Sequence, residues 1–391
     1  MSGTSIGRIV IVGAGLSAAR AAAALRRKGF TGDLVMVGAE PHLPYDRPPL
    51  SKEVLRGTRE STALPFDPGK LWVQVRVATT ATGLDLDSRL VRTSAGEEPF
   101  DGLVIATGAA PVRLPGDGEQ LVLRTLEDAL ALRGRLAPGA RVVIIGASWI
   151  GAEVATAALE AGCRVTCLEA GTAPVAQALG EEVGRLFLPW WSGVDLRLGT
   201  AVREVAPGEV CLADGGTVPA DVVVTGVGVR PAIGWLAGSG LALGRGVRVD
   251  EHLRASAPGV VAVGDVAQRY SPRAGEHILV EHWDDAGTAP AVAAAALLAG
   301  ADDELAVHDP VPYFWSDQFE HKIQYVGRHG ALDRVEIDRE DAQGFPVVRW
   351  FDNDGVLTAW LGVDRARELV KARTAVRTRP TPAEAGLPVQ R

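Results

Sequence analysis

Two runs of apolar residues, each followed by a glycine-containing turn and an Ala-rich stretch, dominate the hydrophobic pattern of this chain. The first run is Arg8 to Val12 and the second is Arg141 to Ile145. Uninterrupted apolar strands are typical of parallel sheets buried on both faces. The pattern therefore predicts two α/β units, each built as strand, turn, helix and strand.

The turn of the first unit reads G-x-G-x-x-A, and a helix to about Lys28 follows it. The first glycine suits a tight turn, and the second lets a pyrophosphate approach the N–H groups and dipole of the helix. Glu40, just after the next strand, can accept hydrogen bonds from a ribose. An ordinary tight turn is the alternative. The residues predicted to bind a dinucleotide here are Gly13, Ala14, Gly15, Leu16, Ser17 and Glu40.

The turn of the second unit departs from that pattern, because Ser148 stands where a second glycine is expected. A serine can clash with a bound phosphate or donate a hydrogen bond to it. A helix to about Ala161 and a strand from Arg164 to Leu168 follow. Glu169 comes next with no Lys or Arg in the following three residues, which favours NADH over NADPH. The predicted contacts are Gly146, Ser148, Trp149, Ile150, Gly151 and Glu169.

Shorter patterns fill the rest of the chain. Short strands are predicted over 71–106 and 195–225, and Val260 to Val263 leads into Gly264-Asp265. An aspartate at the carboxyl end of a parallel strand can bond a sugar-alcohol chain, although an ordinary Asx turn has the same sequence. From Val311 the pattern alternates and becomes rich in aromatic residues, which predicts an antiparallel α+β domain. Residues 374–391 are expected to form a loose tail.

A proline-rich loop, Pro44 to Lys52, follows Glu40. Prolines restrict the backbone, so the loop is expected to present Tyr45, Arg47 and Lys52 in fixed directions. Ser51 is a candidate N-cap for a helix that starts near Lys52.

Composition narrows the function classes. A formal net charge of −8 argues against a nucleic-acid-binding protein, which needs a basic surface. The sequence has no apolar run long enough to span a membrane and no signal-peptide pattern, so a cytoplasmic protein is expected. Three cysteines, Cys163, Cys167 and Cys211, fit buried thiols in a reducing compartment.

Two dinucleotide units in one chain indicate a flavoprotein reductase, in which hydride passes from a nicotinamide to a flavin. The loop Pro44–Lys52 resembles the flavin loop of bacterial ferredoxin reductases that serve cytochromes P450 and aromatic-ring dioxygenases, in the FAD-dependent pyridine nucleotide reductase family. The resemblance covers about residues 7–365. It also includes Gly13 and Gly15, Ala106-Thr107-Gly108, Gly146 to Glu153, Gly226-Val227-Gly228, Gly264-Asp265, Glu281-His282-Trp283 and the run from Tyr313 to Gln318.

The resemblance implies a glutathione-reductase-like α/β fold with two Rossmann-like dinucleotide-binding domains and a C-terminal α+β domain. The implied boundaries are 1–110 and 233–310 for FAD, 111–232 for NAD and 311–391 for the last domain. The implied FAD contacts, beyond the first turn and Glu40, are Arg47, Ala81, Ala106, Thr107, Gly108, Arg124, Asp265 and Trp283. Gly228 joins the NADH contacts, and Trp315 is expected near the stack of flavin and nicotinamide.

The catalytic pair that the resemblance implies is Lys52 and Glu153. Lys52 is expected beside flavin N5, where its charge favours the reduced flavin, and Glu153 is expected to restrain it. A plain surface ion pair is the alternative for these two residues. Core packing is the alternative for Trp283 and Trp315.

The implied reaction passes hydride from NADH to FAD and then two single electrons to an acidic [2Fe–2S] ferredoxin. Lys322, Arg328 and Arg349 are candidates for contact with this partner, and an ordinary solvated face is the alternative for them. The chain is expected to be a monomer or a weak homodimer. A reductase of rubredoxin or another acceptor, and an interaction protein of the apoptosis-inducing-factor type, remain open. Disulfide reductases and peroxidases of this fold need cysteines that neither helix nor residues 40–60 contain.

Overall fold

The computed structural model describes residues 6–300, 302–339 and 344–378. The chain divides into two compact units, which are described separately. The first unit comprises Met1–Asp46, Thr62–Ala110 and Arg230–Pro310, and the second comprises Arg47–Ser61, Pro111–Val229 and Val311–Arg391. The chain thus passes from the first unit to the second within the proline-rich loop. The three-domain boundaries expected from the resemblance stay a prediction.

Strands are short and helices few in the described residues. In chain order the strands are β1 (Arg8–Val12), β2 (Asp33–Val37), β3 (Val73–Arg76), β4 (Ala81–Asp85), β5 (Leu90–Thr93), β6 (Gly96–Pro99), β7 (Gly102–Ile105), β8 (Ala109–Pro111), β9 (Arg141–Ile145), β10 (Arg164–Leu168), β11 (Asp195–Arg197), β12 (Val202–Ala206), β13 (Glu209–Leu212), β14 (Thr217–Pro219), β15 (Val222–Thr225), β16 (Val229–Pro231), β17 (Val247–Val249), β18 (Val260–Ala262), β19 (Ala267–Ser271), β20 (Glu276–Leu279), β21 (Tyr313–Gln318), β22 (His321–Gly327), β23 (Arg334–Asp338), β24 (Val347–Phe351) and β25 (Leu357–Val363). The α-helices are α1 (Leu16–Arg27), α2 (Leu126–Arg133), α3 (Trp149–Glu160), α4 (Ala176–Leu179), α5 (Glu181–Arg185), α6 (Trp283–Leu298) and α7 (Ala366–Thr378).

The first unit is built on a parallel sheet with the spatial strand order β18-β7-β1-β2-β3. β1 pairs in parallel with β2 and with β7, so Ile11 lies opposite Met36 on one side and Val104 on the other. These apolar side chains are fully buried, because helices cover the sheet. α1 packs against α6. Two smaller sheets, β4-β5-β6 and β17-β19-β20, complete the unit.

The second unit contains a parallel sheet with the order β11-β10-β9-β15 and an antiparallel sheet with the order β21-β22-β25-β24-β23. α3 contacts β9 and β10 of the first of these sheets and β21 of the second. Because α3 is Ala-rich and mostly buried, the two sheets can both approach it closely. α3 therefore packs against both the parallel sheet and the antiparallel sheet of this unit.

Three expectations about elements were wrong. Ser51 caps no helix at Lys52; it ends a 3₁₀ helix, Pro48–Ser51. The Ala-rich stretch from Gly287 to Ala299 predicts a helix of those bounds, but α6 begins at Trp283. Two aspartates lie in its first turn, where they complement the helix dipole. α7 extends through Thr378, into the segment predicted as a loose tail, because Ala372 and Val376 are buried; residues 379–391 lie outside the described residues.

Other local expectations were confirmed. Thr125, with Asp128 three residues further on, has the sequence signature of a helix N-cap, and Thr125 does cap α2 in a reciprocal arrangement with Asp128. The strands β1, β9 and β10 have the predicted bounds. Within the described parts of the chain, no helix combines the length and the apolar character needed to cross a membrane.

Candidate active site

The turn after β1 is shaped by two glycines that have different tasks. Gly13 has a φ of +117°, and a Cβ atom there would lie 2.1 Å from the carbonyl oxygen of Ala106. Gly15 is the N-cap of α1, no side chain caps this helix end, and a Cβ at Gly15 would meet nothing within 4 Å. An open helix N-terminus of this kind suits a pyrophosphate. The residues of the first unit therefore fit the adenine dinucleotide FAD.

The carboxylate of Glu40 is held by a residue of the proline-rich loop. The hydroxyl of Tyr45 donates to Glu40 Oε2 over 2.5 Å. The Tyr45 side chain is buried. Tyr45 therefore holds the carboxylate predicted to bond the ribose.

Turns at the carboxyl ends of neighbouring strands gather the other predicted FAD contacts of the first unit. β1, β7 and β18 are adjacent, and Gly13, Ala106–Gly108 and Asp265 follow their carboxyl ends. The Thr107 hydroxyl donates to the carbonyl of Ala232 over 3.0 Å. This is the edge at which open α/β sheets bind ligands.

Side chains of the first unit also fix the start of α6. The buried Ser17 hydroxyl donates to the carbonyl of Ala286 over 3.0 Å. The indole N–H of Trp283 donates to Asp46 Oδ1 over 2.6 Å, and the ring stays 37% exposed. Trp283 is therefore not a core residue. Ala81 begins β4 and packs against the core of the same unit.

The turn after β9 is held by its own side chains. Ser148 Oγ accepts a hydrogen bond from the Gly151 N–H over 3.1 Å and so caps α3. Glu169 accepts from the N–H groups of Ala147 and Gly171, each over 2.7 Å. A Cβ atom at Gly146 would lie 2.7 Å from the carbonyl oxygen of Gly226. Ser148 and Glu169 thus each stabilise the turn, besides the coenzyme contact predicted for them.

Lys52 and Glu153 form an ion pair within the second unit. Lys52 Nζ lies 2.8 Å from Glu153 Oε2, and the two side chains are 12% and 4% exposed. This burial excludes a plain surface pair. Glu153 also accepts from the hydroxyls of Ser51 and Ser316. Neither serine was predicted as a partner of Glu153, although Ser51 adjoins Lys52 and Ser316 lies in the aromatic run of β21.

The remaining predicted contacts of the second unit are placed by local bonds. Arg47 donates to the carbonyl of Arg124, and the backbone N–H of Arg124 donates to Asp128. Trp315 stacks on Tyr313, with ring centroids 6.0 Å apart. Gly228 has a φ of +109° and open space around its Cβ position.

Lys322 and Arg349, which were predicted to face a partner protein, are paired with acids. Lys322 lies 2.7 Å from Asp317, and Arg349 lies 3.3 Å from Asp338. Their charge is thereby partly neutralised, which weakens them as steering groups. Arg328 is exposed.

The three cysteines of the chain are too buried to serve as reactive thiols. Cys163, Cys167 and Cys211 are buried free thiols. Burial raises the pKa of the Cys167 thiol, and the nearby charge of Glu169 raises it further, so the reactive thiolate is disfavoured. Among the described residues, no group of three or more His, Cys, Asp or Glu side chains is placed to hold a metal ion.

Comparison with known proteins defines the class. Residues 7–293 match the family described as pyridine nucleotide-disulphide oxidoreductase, and residues 313–388 match the family described as reductase C-terminal. The chain belongs to the pyridine nucleotide-disulphide oxidoreductase family. The predicted family, the fold class with two Rossmann-like domains, the oxidoreductase activity and the FAD and NADH cofactors are confirmed at this level.

Individual relatives match over nearly the whole chain. The ferredoxin–NAD(+) reductase component of the anthranilate 1,2-dioxygenase system of Burkholderia cepacia is 36% identical, over 94% of this chain and 93% of its own. The crystal structure of Fdr9 is 55% identical with a TM-score of 0.94, covering 98% of this chain and 100% of that one. The covalent putidaredoxin reductase–putidaredoxin complex matches at 30% identity with a TM-score of 0.87, over 96% and 94%.

Proposed function

We propose that this protein is an FAD-dependent reductase that transfers electrons from NADH to a [2Fe–2S] ferredoxin, which in turn serves a cytochrome P450 or a ring-hydroxylating oxygenase. The observation that carries the proposal is the pair of dinucleotide turns in one chain, the first open and the second held by its own side chains. Two relatives that match over nearly the whole length are named ferredoxin–NAD(+) reductase components, and one similar solved structure is a reductase linked covalently to putidaredoxin.

FAD, when bound, accepts a hydride from NADH and releases the electrons singly. In the proposed site Gly13, Gly15 and Glu40 bind its ADP portion. Asp265 holds the ribityl chain, and Trp283 lies by the ring system. Gly146, Ser148, Gly151 and Glu169 bind NADH.

Lys52 supplies a positive charge for the hydride-transfer site, and Glu153 fixes its position. A buried cation stabilises negative charge more strongly than an exposed one, because less water screens it. The pair needs to transfer no proton in this role. Its task is electrostatic.

The acceptor is proposed to be an acidic protein. α7 carries Arg367, Lys371, Arg373 and Arg377 against Glu368, on a chain whose formal net charge is −8. Such a local excess of positive charge supports fast association with an acidic partner. Arg373 also lies 4.5 Å over the ring of Tyr313, which stacks on Trp315.

We place the protein in the cytoplasm, as a monomer or weak homodimer.

A spectroscopic titration tests the proposal. The purified protein is expected to show a bound flavin spectrum that bleaches with NADH and much less with NADPH. Reduction of cytochrome c by NADH is expected to require added [2Fe–2S] ferredoxin. A flavin that NADH does not reduce would contradict the proposal. A reducible flavin that passes electrons to rubredoxin but to no ferredoxin would change the acceptor alone.

A further inference from the structure

The carboxylate of Glu153 lies where three separate segments of the second unit meet. On one side, Oε2 accepts from Lys52 Nζ over 2.8 Å and from the Ser51 hydroxyl. On the other side, Oε1 accepts from the Ser316 hydroxyl over 2.6 Å and from the Asp317 N–H over 3.3 Å. Each oxygen therefore has two donors. One pair of donors comes from the loop after Arg47, and the other comes from β21.

The Ser316 hydroxyl is oriented by a second hydrogen bond. Gln318 Nε2, itself buried, donates to Ser316 Oγ over 3.1 Å. A hydroxyl has a single proton, so the Ser316 hydroxyl, which accepts from Gln318, donates its proton to Glu153. Ser51 Oγ lies 3.4 Å from Lys52 Nζ, on the same side as the carboxylate, so Ser51, Lys52 and Glu153 form a closed triangle of polar groups.

The ammonium group of Lys52 is held by more than its ion pair. Its acceptors are Glu153 Oε2, with Ser51 Oγ beside it, and the carbonyl of Pro48 over 3.2 Å. A lysine side chain has four rotatable bonds, and a single ion pair leaves most of its freedom. The additional acceptors restrict the position of the charge further.

We propose that Ser51 and Ser316 are positioning residues, which hold the Glu153 carboxylate still and through it set the position of the Lys52 charge. The inference rests on the proposed function, in which that charge serves hydride transfer. If either hydroxyl is removed, the carboxylate loses a charge-assisted hydrogen bond and can rotate. Lys52 then follows its partner, and the charge is no longer where the reaction needs it.

A matched control separates this role from simple support of the fold. Thr156 lies one turn after Glu153 on α3 and is buried. Its hydroxyl donates to the Ala152 carbonyl over 2.8 Å and accepts from the Phe319 N–H over 2.9 Å. It therefore joins α3 to the turn after β21 and makes no hydrogen bond to Glu153. Thr156→Val therefore removes a buried hydroxyl that makes two hydrogen bonds, as the Ser316 hydroxyl does, but none of them to Glu153.

The first test needs no cofactor. Apoprotein is pulsed with acetic anhydride, and the acetylation of each lysine is followed by mass spectrometry. We expect Lys52 to react about fivefold faster in Ser51→Ala and in Ser316→Ala, since each loses about one hydrogen bond from the cluster. Thr156→Val should leave the Lys52 rate unchanged, and exposed Lys70 serves as the internal standard. Equal Lys52 rates in wild type and both serine variants would overturn the proposal.

The second test follows flavin reduction by NADH in a stopped-flow instrument. The limiting rate constant should fall about tenfold in each serine variant, with an unchanged Kd for NADH, since the lost bond acts through a charge. In a Lys52→Ala background neither serine change should slow the reaction further. In the otherwise wild-type protein, Ser316→Thr keeps a hydroxyl and should retain most of the rate. A similar loss in the Lys52→Ala background, or in Thr156→Val, would overturn the positioning role. No reduction of the wild-type flavin would instead overturn the proposed function.

Discussion

The two dinucleotide turns of this chain share a backbone path and differ in what fills them. In the first, the N-terminus of α1 has no side-chain cap, and space is open in front of Gly15. In the second, Ser148 caps α3, and Glu169 accepts from the Ala147 N–H of the turn itself. The N–H groups of the first turn are open to a ligand, whereas two N–H groups of the second turn already donate to Ser148 and Glu169.

This difference matches two kinds of cofactor use. A site that leaves helix N–H groups open gains most from binding an anion, because those groups otherwise rely on water. A site that satisfies its own groups gains less from the ligand and releases it more easily. The first turn thus suits a flavin that stays bound, and the second suits a coenzyme that must leave after each turnover.

The largest effect is expected for Gly13→Ala. The new Cβ would lie 2.1 Å from the Ala106 carbonyl oxygen, at a φ of +117°. We expect loss of bound FAD and a destabilisation of more than about 3 kcal/mol, since neither backbone segment can yield cheaply. Flavin content and thermal unfolding measure this.

Gly29→Ala is the matched control, with a φ of +88° but open space around the Cβ position. It should cost only about 1–2 kcal/mol and keep its flavin. Full flavin occupancy in Gly13→Ala would show that the close approach at this turn has no bearing on the cofactor.

A smaller effect is expected for Tyr45→Phe, which removes the hydrogen bond to Glu40. The carboxylate loses its orientation, so the Kd for FAD should rise about tenfold, as for one lost bond to a charged group. NADH affinity should not change. The measurement is flavin fluorescence on reconstitution of apoprotein, with Tyr270→Phe in the same unit as the control. Unaltered FAD affinity would remove Tyr45 from the site.

Glu169→Gln tests the second turn. Glutamine keeps one acceptor for the N–H groups of Ala147 and Gly171 but has no charge to repel a 2′-phosphate. The NADH-to-NADPH ratio of kcat/KM should fall about tenfold, by about 1.4 kcal/mol of discrimination. Glu182→Gln, an exposed residue of α5, is the control. A constant ratio would place the discrimination at other residues.

The smallest effect is expected for Ser148→Gly. The Gly151 N–H becomes available, and the turn comes to resemble the first one. The Kd for NADH should fall about threefold, while stability changes by only a few tenths of a kcal/mol. Stopped-flow saturation curves measure the Kd. Weaker NADH binding would show instead that the serine hydroxyl donates to the pyrophosphate.

Local signals in the sequence were sufficient to predict the strands and glycines that form both turns. Continuous apolar runs predicted β1 and β9 with their bounds, because a parallel strand is buried on both faces and needs no polar position. Thr125 and Asp128 marked the start of α2, since a capping box involves residues three apart. The glycines of both turns followed from their spacing.

The tertiary structure alone decided which polar groups meet. Ser51 bonds a carboxylate 102 residues away, and Ser316 bonds the same carboxylate from 163 residues away. No periodicity connects positions at such separations, so Ser51 was expected to cap a helix and Ser316 had no assigned task. Ser148 and Glu169 show the same limit, because a turn motif names the residues but not what their side chains accept. A sequence specifies local backbone choices, whereas hydrogen-bond partners depend on which segments the packed fold brings together.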